Sequence, residues 1–239
     1  MDKPDISIVI PVYNEVDNLR PLAEKIVAAM EPLGKSYEVL LVDDGSKDGS
    51  TERIREIAAD DSRFKLVKLK KNSGQTAAMD AGFKTSKGDA VVTLDADLQN
   101  DPADIPKVLE LLSDYDMVCG IRVKRQDNIL RRITSRMGNY VKNKVAGEKI
   151  RDTGCSLKAY RGECIRGIKL YNGMHRFLPT LAGIEGYTVT QVPVGHHPRF
   201  AGKAKYGLWN RAFKVMTDLL AVRWMKMRHL KYEIEEGKD

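Results

Sequence analysis

Short apolar, β-branched runs alternate along the first half of the chain with stretches whose apolar residues recur every three or four positions. Ile6-Ser7-Ile8-Val9-Ile10-Pro11-Val12 has the composition of a strand buried on both faces. Leu19, Leu22, Ile26, Val27 and Met30 then follow helical spacing. Tyr37 to Val42 is a second strand of the buried kind, and Asp48-Gly49-Ser50-Thr51 opens a helix behind it. Phe64 to Leu69 alternates polar and apolar, which predicts a more exposed strand. Ser73 to Phe83 reads as a helix of small residues and Ala90 to Leu94 as a fourth strand. Asp101-Pro102 starts a helix through Ile105, Val108, Leu109 and Leu112, and Met117 to Ile121 is a fifth strand. Strands alternating with helices predict an α/β architecture built on a mostly parallel, doubly wound sheet.

After Arg122 the pattern changes. Asp127 to Ala146 is predicted as an amphipathic helix, with Ile129, Ile133, Met137, Tyr140, Val141 and Val145 on its apolar side. A turn at Asp152-Thr153-Gly154-Cys155-Ser156 leads into a strand from Leu157 to Tyr160. Met174 to Ile184 is a further helix, and Tyr187 to Val194 alternates as a strand. His196 to Gly207 is a basic, glycine-punctuated loop, and Leu208 to Leu230 a last helix. On that helix Trp209, Phe213, Met216, Leu220, Trp224 and Met227 form one apolar stripe, flanked by Arg211, Lys214, Arg223, Lys226, Arg228 and Lys231. Such a stripe serves equally to pack on a core or to lie at a membrane surface. Residues 1–207 are expected to form one domain, divided into halves at 121/122, with the helix and a frayed tail over 208–239.

Polar residues gather at the ends of the predicted strands. Tyr13-Asn14-Glu15 follows the first, Asp43-Asp44-Gly45 the second and Asp95-Ala96-Asp97-Leu98-Gln99 the fourth. In open α/β sheets ligands sit beyond the carboxyl ends of the strands, so these clusters converge on one crevice. An Asp-x-Asp alone is common and reads as a solvated turn capping the next helix. Three clusters in register favour a site. Two carboxylates converging at a strand end, with an amide oxygen behind them, suit Mg²⁺ or Mn²⁺.

Composition narrows the classes. The 239 residues are 42% hydrophobic and 31% charged, a globular balance. Residues 1–120 carry 15 basic and 23 acidic side chains, and residues 121–239 carry 25 and 10, so an acidic half joins a basic one. That suits a phosphorylated substrate or an anionic membrane. Nucleic acid is not expected as a partner, because no zinc finger, helix-turn-helix or RNP-like signature accompanies the basic half. The start of the chain shows no signal-peptide pattern, and no apolar run reaches the roughly 18 to 20 residues of a spanning helix. Cys119, Cys155 and Cys164 read as reduced thiols of a cytosolic protein. No Gly-x-Gly-x-x-Gly follows the first strand, and neither a P-loop nor a Gly-x-Ser-x-Gly elbow is present. Adjacent histidines in an extended segment point to opposite sides, which argues against a metal at His196-His197.

Pro11-Val12-Tyr13-Asn14-Glu15, the segment Val42 to Ser50, and Asp95-Ala96-Asp97-Leu98-Gln99 resemble the family 2 glycosyltransferases, which have the GT-A fold. Asp152-Thr153-Gly154-Cys155 and the segment Arg199 to Tyr206 resemble motifs of the dolichol-phosphate mannosyltransferase branch and its bacterial polyprenyl-phosphate relatives. The resemblance implies a metal-dependent, inverting transfer of a sugar from a GDP- or UDP-sugar to a polyprenyl or dolichyl phosphate. By it, Pro11, Tyr13, Glu15, Val42, Asp44, Gln75, Asp95, Ala96 and Asp97 bind the nucleotide-sugar. Asp95, Asp97 and Gln99 hold Mg²⁺ or Mn²⁺. Arg122, Arg136, Arg199 and Lys205 neutralise phosphate charge, and Asp152 places the acceptor. The branch's usual Ser-Lys-Tyr is Ala204-Lys205-Tyr206 here, and Leu220 stands where the processive synthases have the Gln of Gln-x-x-Arg-Trp. Transfer to a sugar or protein hydroxyl, and nucleotide-sugar binding without turnover, are the alternatives. The lipid acceptor favours peripheral attachment at the cytoplasmic membrane face through residues 208–231, aided by a separate membrane subunit or by self-association.

Overall fold

The computed structural model describes residues 3–123, 150–198, 209–230 and 232, with residues 209–215 described as backbone. The predicted alternation is present. In chain order the elements are β1 (Ile6–Val12), α1 (Val16–Met30), β2 (Tyr37–Asp43), α2 (Ser50–Asp60), β3 (Phe64–Lys68), α3 (Gln75–Thr85), β4 (Ala90–Thr93), α4 (Ile105–Glu110) and β5 (Met117–Arg122). They continue with β6 (Lys158–Arg161), α5 (Gly162–Gly167), α6 (Leu178–Ile184), β7 (Val189–Val194) and α7 (Trp209–Arg228).

The strands form one seven-stranded sheet of order β3-β2-β1-β4-β6-β5-β7. β1 runs parallel to β2 and β4, β2 to β3, and β5 to β7. β6 is antiparallel to both neighbours, β4 and β5. The edge strand β3 has a single fully buried residue, Phe64, as its alternating pattern predicts.

The two-residue period of the strands divides the core in two. Ile6, Ile8, Ile10 and Val12 of β1 pack with Val39 and Leu41 under Leu19, Leu22, Ile26 and Met30 of α1, Ile54 and Ile57 of α2, and Ile105 and Val108 of α4. Val9, Leu40, Val42 and Val91 face the other way. They meet Ala78, Met79 and Phe83 of α3, Cys164 and Ile165 of α5, Leu178 and Leu181 of α6, and Leu219 and Val222 of α7. On that side α3 lies close to β1. A Cβ added at Gly82 would come within 2.2 Å of Val9 Cγ1, so only glycine allows the approach.

Two predicted helices are divided. The 101–112 stretch is a 3-10 turn (Pro102–Asp104), then α4, then another 3-10 turn (Leu111–Ser113). The 174–184 stretch is a 3-10 turn (Met174–Phe177) followed by α6. Pro106 and Pro179 each stand within the first two positions of the α-helical part. A proline lacks the N–H that bonds four residues back and its ring collides with that carbonyl, so the helix restarts there. The six residues of α5 are too few to show periodicity and were not anticipated. The predicted helix 127–146 lies outside the described residues.

Candidate active site

The carboxyl ends of β1, β2 and β4 adjoin in the sheet, and their turns enclose a cavity of about 190 Å³. Pro11, Val12, Tyr13 and Glu15 line it from β1 and its turn, Asp44 from β2, Gln75 and Ala78 from α3, and Asp95, Ala96 and Asp97 from β4. The sequence-predicted residues Pro11, Tyr13, Glu15, Asp44, Gln75, Asp95, Ala96 and Asp97 are therefore together. Val42 is not with them. It is fully buried in the core beneath α3, because the strand's alternation turns its side chain toward the helix rather than toward the strand end.

The acidic turn after β2 is mostly scaffold. Asp43 accepts the Ser46 N–H at 2.9 Å and the Thr51 hydroxyl, and Asp48 accepts the N–H groups of Val16 and Ser50. Ser46 and Ser50 in turn accept the N–H groups of Asn14 and Glu15. These bonds hold the β1 turn against the β2 turn. Asp44 accepts the N–H groups of Ser73 and Gly74 at 2.6 and 2.8 Å, which fixes the start of α3 and with it Gln75. Gly45, at φ 72°, has no room for a Cβ: the Asn72 amide nitrogen would lie 2.6 Å away.

Asp95 is half-buried and Asp97 buried. Gln75 Nε2 donates to Asp95 Oδ1 at 2.9 Å, and the Asp95 N–H donates to Ser156 Oγ at 3.2 Å. Asp97 Oδ1 accepts the Gln99 N–H at 3.1 Å. Burial, and then the neighbouring Asp97 charge, push the Asp95 pKa up to about 6, against the opposing pull of Lys158 and Arg122. The only non-glycine residues with positive φ among those described are Asn14 at 51° and Leu98 at 58°, one at each of two strand ends bordering this cavity. Leucine in that region is strained, by about 1 to 3 kcal/mol, and such strain gathers at functional turns.

Beside it lies a second cavity of about 180 Å³ that shares Pro11, Gln75 and Asp95. Its remaining polar lining comes from Thr93 at the end of β4, from the turn after Asp152 (Thr153, Ser156), from Lys158 on β6, and from His175 and Arg176 on the 3-10 turn before α6. Thr153 belongs to the anticipated Asp152-Thr153-Gly154-Cys155 motif; Ser156, Lys158, His175 and Arg176 were not anticipated as site residues. Lys158 carries the one legible signal, a lysine inside the apolar run Leu157-Lys158-Ala159-Tyr160.

Arg122 and Asp152 meet each other. Arg122 Nε and Nη2 donate to the two Asp152 oxygens at 2.8 and 2.9 Å, and the Gly154 N–H donates to Asp152 Oδ1 at 3.1 Å. The two sequence-predicted residues are thus together, and the Arg122 guanidinium, engaged with Asp152, orders the 152–155 turn. Gln99 is not among the residues lining either cavity; its carbonyl accepts the His197 N–H at 2.8 Å. The basic loop thus departs from beside the Asp95–Gln99 turn. Arg199 and Lys205 on that loop, and Arg136, lie outside the described residues. Cys119, Cys155 and Cys164 are free thiols, all buried.

Comparison with known proteins accords with this geometry. A sequence model of the family described as "Glycosyl transferase family 2" matches residues 7–168. The chain is 39% identical over 239 residues to a dodecaprenyl-phosphate galacturonate synthase of Rhizobium johnstonii, an alignment covering 98% of this chain and 69% of that protein. It is 43% identical over 217 residues to an undecaprenyl-phosphate 4-deoxy-4-formamido-L-arabinose transferase of Edwardsiella ictaluri, covering 90% of this chain and 66% of that one. Among solved structures, glucosyl-3-phosphoglycerate synthase from Mycobacterium tuberculosis, in complex with Mn²⁺, UDP and phosphoglyceric acid, matches with a TM-score of 0.68 at 18% identity, over 95% of this chain and 80% of that one. A mannosyltransferase from Pyrobaculum calidifontis, in complex with GDP-Man and Mn²⁺, matches with 0.66 at 19% identity, over 97% and 66%. At such identities the likeness is one of fold, the GT-A fold.

Proposed function

The chain belongs to glycosyl transferase family 2, and on that premise we propose that it moves a sugar from a GDP- or UDP-sugar to a polyprenyl phosphate, with inversion and with a divalent metal ion. The observation that carries the donor half is the cavity at the ends of β1, β2 and β4, where Asp95 and Asp97 face Tyr13, Glu15 and Asp44. The acceptor half is supported by the relatives, both named for transfer to a polyprenyl phosphate. Their sugars differ, so their names leave the sugar open. The chain spans about two thirds of their lengths, 69% and 66%.

The residues present fit Mg²⁺ or Mn²⁺. Asp95 and Asp97 are hard oxygen donors, the Asp97 charge helps to raise the Asp95 pKa, and a cation beside them relieves that conflict. Among the described residues no group of three or more His, Cys, Asp or Glu side chains is gathered for a metal. The remaining ligands are thus left to the donor diphosphate, water and the Gln99 amide. When bound, the cation supplies positive charge for the leaving diphosphate.

In the transfer, an oxygen of the acceptor phosphate attacks the sugar's anomeric carbon opposite the diphosphate. The new C–O bond forms as the bond to the diphosphate breaks, and the nucleoside diphosphate departs with the electron pair. An acceptor phosphate is already ionised at neutral pH and needs no base to remove a proton. Asp152, bound on both oxygens by Arg122, accordingly works by shaping the 152–155 turn. Arg136, Arg199 and Lys205 are assigned to the phosphates.

Such an acceptor lies in a bilayer, and no helix among the described residues is long and apolar enough to cross one. α7 offers another way to reach it. Met216, Leu220, Trp224 and Met227 are each at least half exposed along one side, with Arg223, Lys226 and Arg228 beside them. This side is assigned to an anionic membrane surface on the cytoplasmic face, helped by a membrane subunit or self-association.

The test offers the protein undecaprenyl phosphate, a free sugar and a hydroxyl-bearing peptide, each with a panel of UDP- and GDP-sugars. Sugar should appear on the lipid phosphate alone. Its appearance on a hydroxyl acceptor, or donor binding without any transfer, would refute the proposal.

A further inference from the structure

β6 runs antiparallel to β4, so its first residue, Lys158, stands opposite Thr93, two residues before Asp95. Strand alternation turns Lys158 to the same face as Tyr160, whose ring meets Phe83 of α3 edge-on at 5.9 Å. The lysine therefore lies under α3 and lines the second cavity together with Gln75, Met79 and Asp95. It is 4% exposed. Its ammonium donates to the Cys155 carbonyl and, among the described residues, has no other hydrogen bond and no ion pair. Its charge reaches Asp95 without a direct bond.

An ammonium carries three donors. Burying one with a single acceptor is costly, and the cost falls when an anion takes the remaining protons. The polar side chains around it are turned to other partners. Gln75 Nε2 is bonded to Asp95, Thr93 Oγ1 to the Ser156 carbonyl and Ser156 Oγ to Asn100 Oδ1. Thr153 lines the same cavity, and its hydroxyl has no partner among the described residues. It stands on the 152–155 turn that Arg122 and Asp152 hold. An ammonium and a hydroxyl with donors to spare in one small cavity suit a phosphate, which offers several strong acceptor oxygens and negative charge.

If the first cavity holds the nucleotide and its metal, the donor diphosphate lies by Asp97, which lines the first cavity and not the second. The attacking phosphate has to approach from the other side of the anomeric carbon. We propose, on the polyprenyl-phosphate reading above, that Lys158 and Thr153 form a phosphate subsite in the second cavity, and that it takes the acceptor's phosphate while the ammonium offsets the repulsion of the Asp95 carboxylate.

Binding of farnesyl phosphate to the whole chain, without donor, is measured by calorimetry beside binding of UDP and GDP with Mn²⁺. Lys158→Met should weaken farnesyl phosphate about 10- to 100-fold and Thr153→Val about 3- to 10-fold, with either nucleotide changed by less than about 3-fold. Lys158→Arg should keep part of the affinity. Farnesol, which lacks the phosphate, should bind wild type and Lys158→Met alike. Lys158→Met should also keep the Tm of wild type, because it removes a buried charge with one partner. A lowered Tm with unchanged affinity for farnesyl phosphate would make the lysine structural and overturn the proposal. Thr153 is half-buried, so Thr153→Val tests the subsite even if Lys158→Met does not fold. If farnesyl phosphate binds wild type and the folded variants equally, the subsite is refuted and the lipid-phosphate reading stands. If wild type binds nucleotide but no farnesyl phosphate, that reading fails and takes this proposal with it. A loss confined to UDP and GDP would move Lys158 to the donor diphosphate and overturn the acceptor assignment.

Discussion

Asp95 stands between burial and the Asp97 charge, and its pKa of about 6 lies above the ordinary 3.8. The folded protein therefore holds a proton on it over a range in which the unfolded chain has released it. Its contribution to stability is full below about pH 4 and is lost as pH rises through about 6. For the metal-free protein, Asp95→Asn should accordingly raise Tm at pH 7.5 and lose that advantage near pH 4. Mn²⁺ should raise the Tm of wild type at pH 7.5, much less at pH 5 where the proton competes, and not at all in the variant. Calorimetry with EDTA or Mn²⁺ reads this directly, and equal pH slopes for the two proteins would contradict it. The neighbouring motifs show how far single residues are legible. Asp43, Asp44 and Asp48 look alike in Val42 to Ser50, yet of these three Asp44 alone lines the cavity. The others bond backbone and hydroxyl groups in the turn and in the β1 loop. Asp48 also has a partner 32 residues away, the Val16 N–H, which no local pattern records. For the same reason the pairing of Arg122 with Asp152, 30 residues apart, was not legible.

At the scale of elements the strands and helices were legible where periodicity runs long, and the helix divisions were legible in Pro106 and Pro179 had their positions been weighed. The last helix was half legible. Its predicted stripe contains Met216, Leu220, Trp224 and Met227, which are exposed, whereas Leu219 and Val222 are 3% and 0% exposed and pack on the core. One helix thus has an inner and an outer apolar side, and a single stripe could not reveal both. Leu220→Ser with Trp224→Ser should reduce co-sedimentation with vesicles containing anionic phosphatidylglycerol and leave Tm nearly unchanged. Equal pelleting of wild type and variant would remove α7 from the membrane. On the same face of the sheet, Gly82→Ala forces a Cβ against Val9 and should cost about 1 to 3 kcal/mol. That lowers Tm by several degrees in a chain of this size. An unchanged Tm would show that α3 can move away from β1 freely.

For the whole molecule, the parallel βα succession and the crevice at the strand ends followed from the order of patterns along the chain. The antiparallel insertion of β6 between β4 and β5 did not, because strand pairing across 65 residues has no local signature. That insertion brings Ser156 and Lys158 alongside Asp95, and the 3-10 turn before α6 brings His175 and Arg176 from nearly 100 residues beyond Thr76. The donor side was thus visible in the sequence and the second cavity was not. The central claim joins both: a metal held at the end of β4 drives transfer onto a lipid phosphate. Its most direct test follows nucleoside diphosphate release and polyprenyl-phosphate sugar formation together, in wild type and Asp97→Ala, with Mn²⁺ or EDTA. The account predicts equal amounts of the two products from wild type with Mn²⁺, and loss of both in EDTA and in a folded Asp97→Ala. Undiminished transfer by the variant, or nucleoside diphosphate released without sugar reaching the lipid, would contradict it.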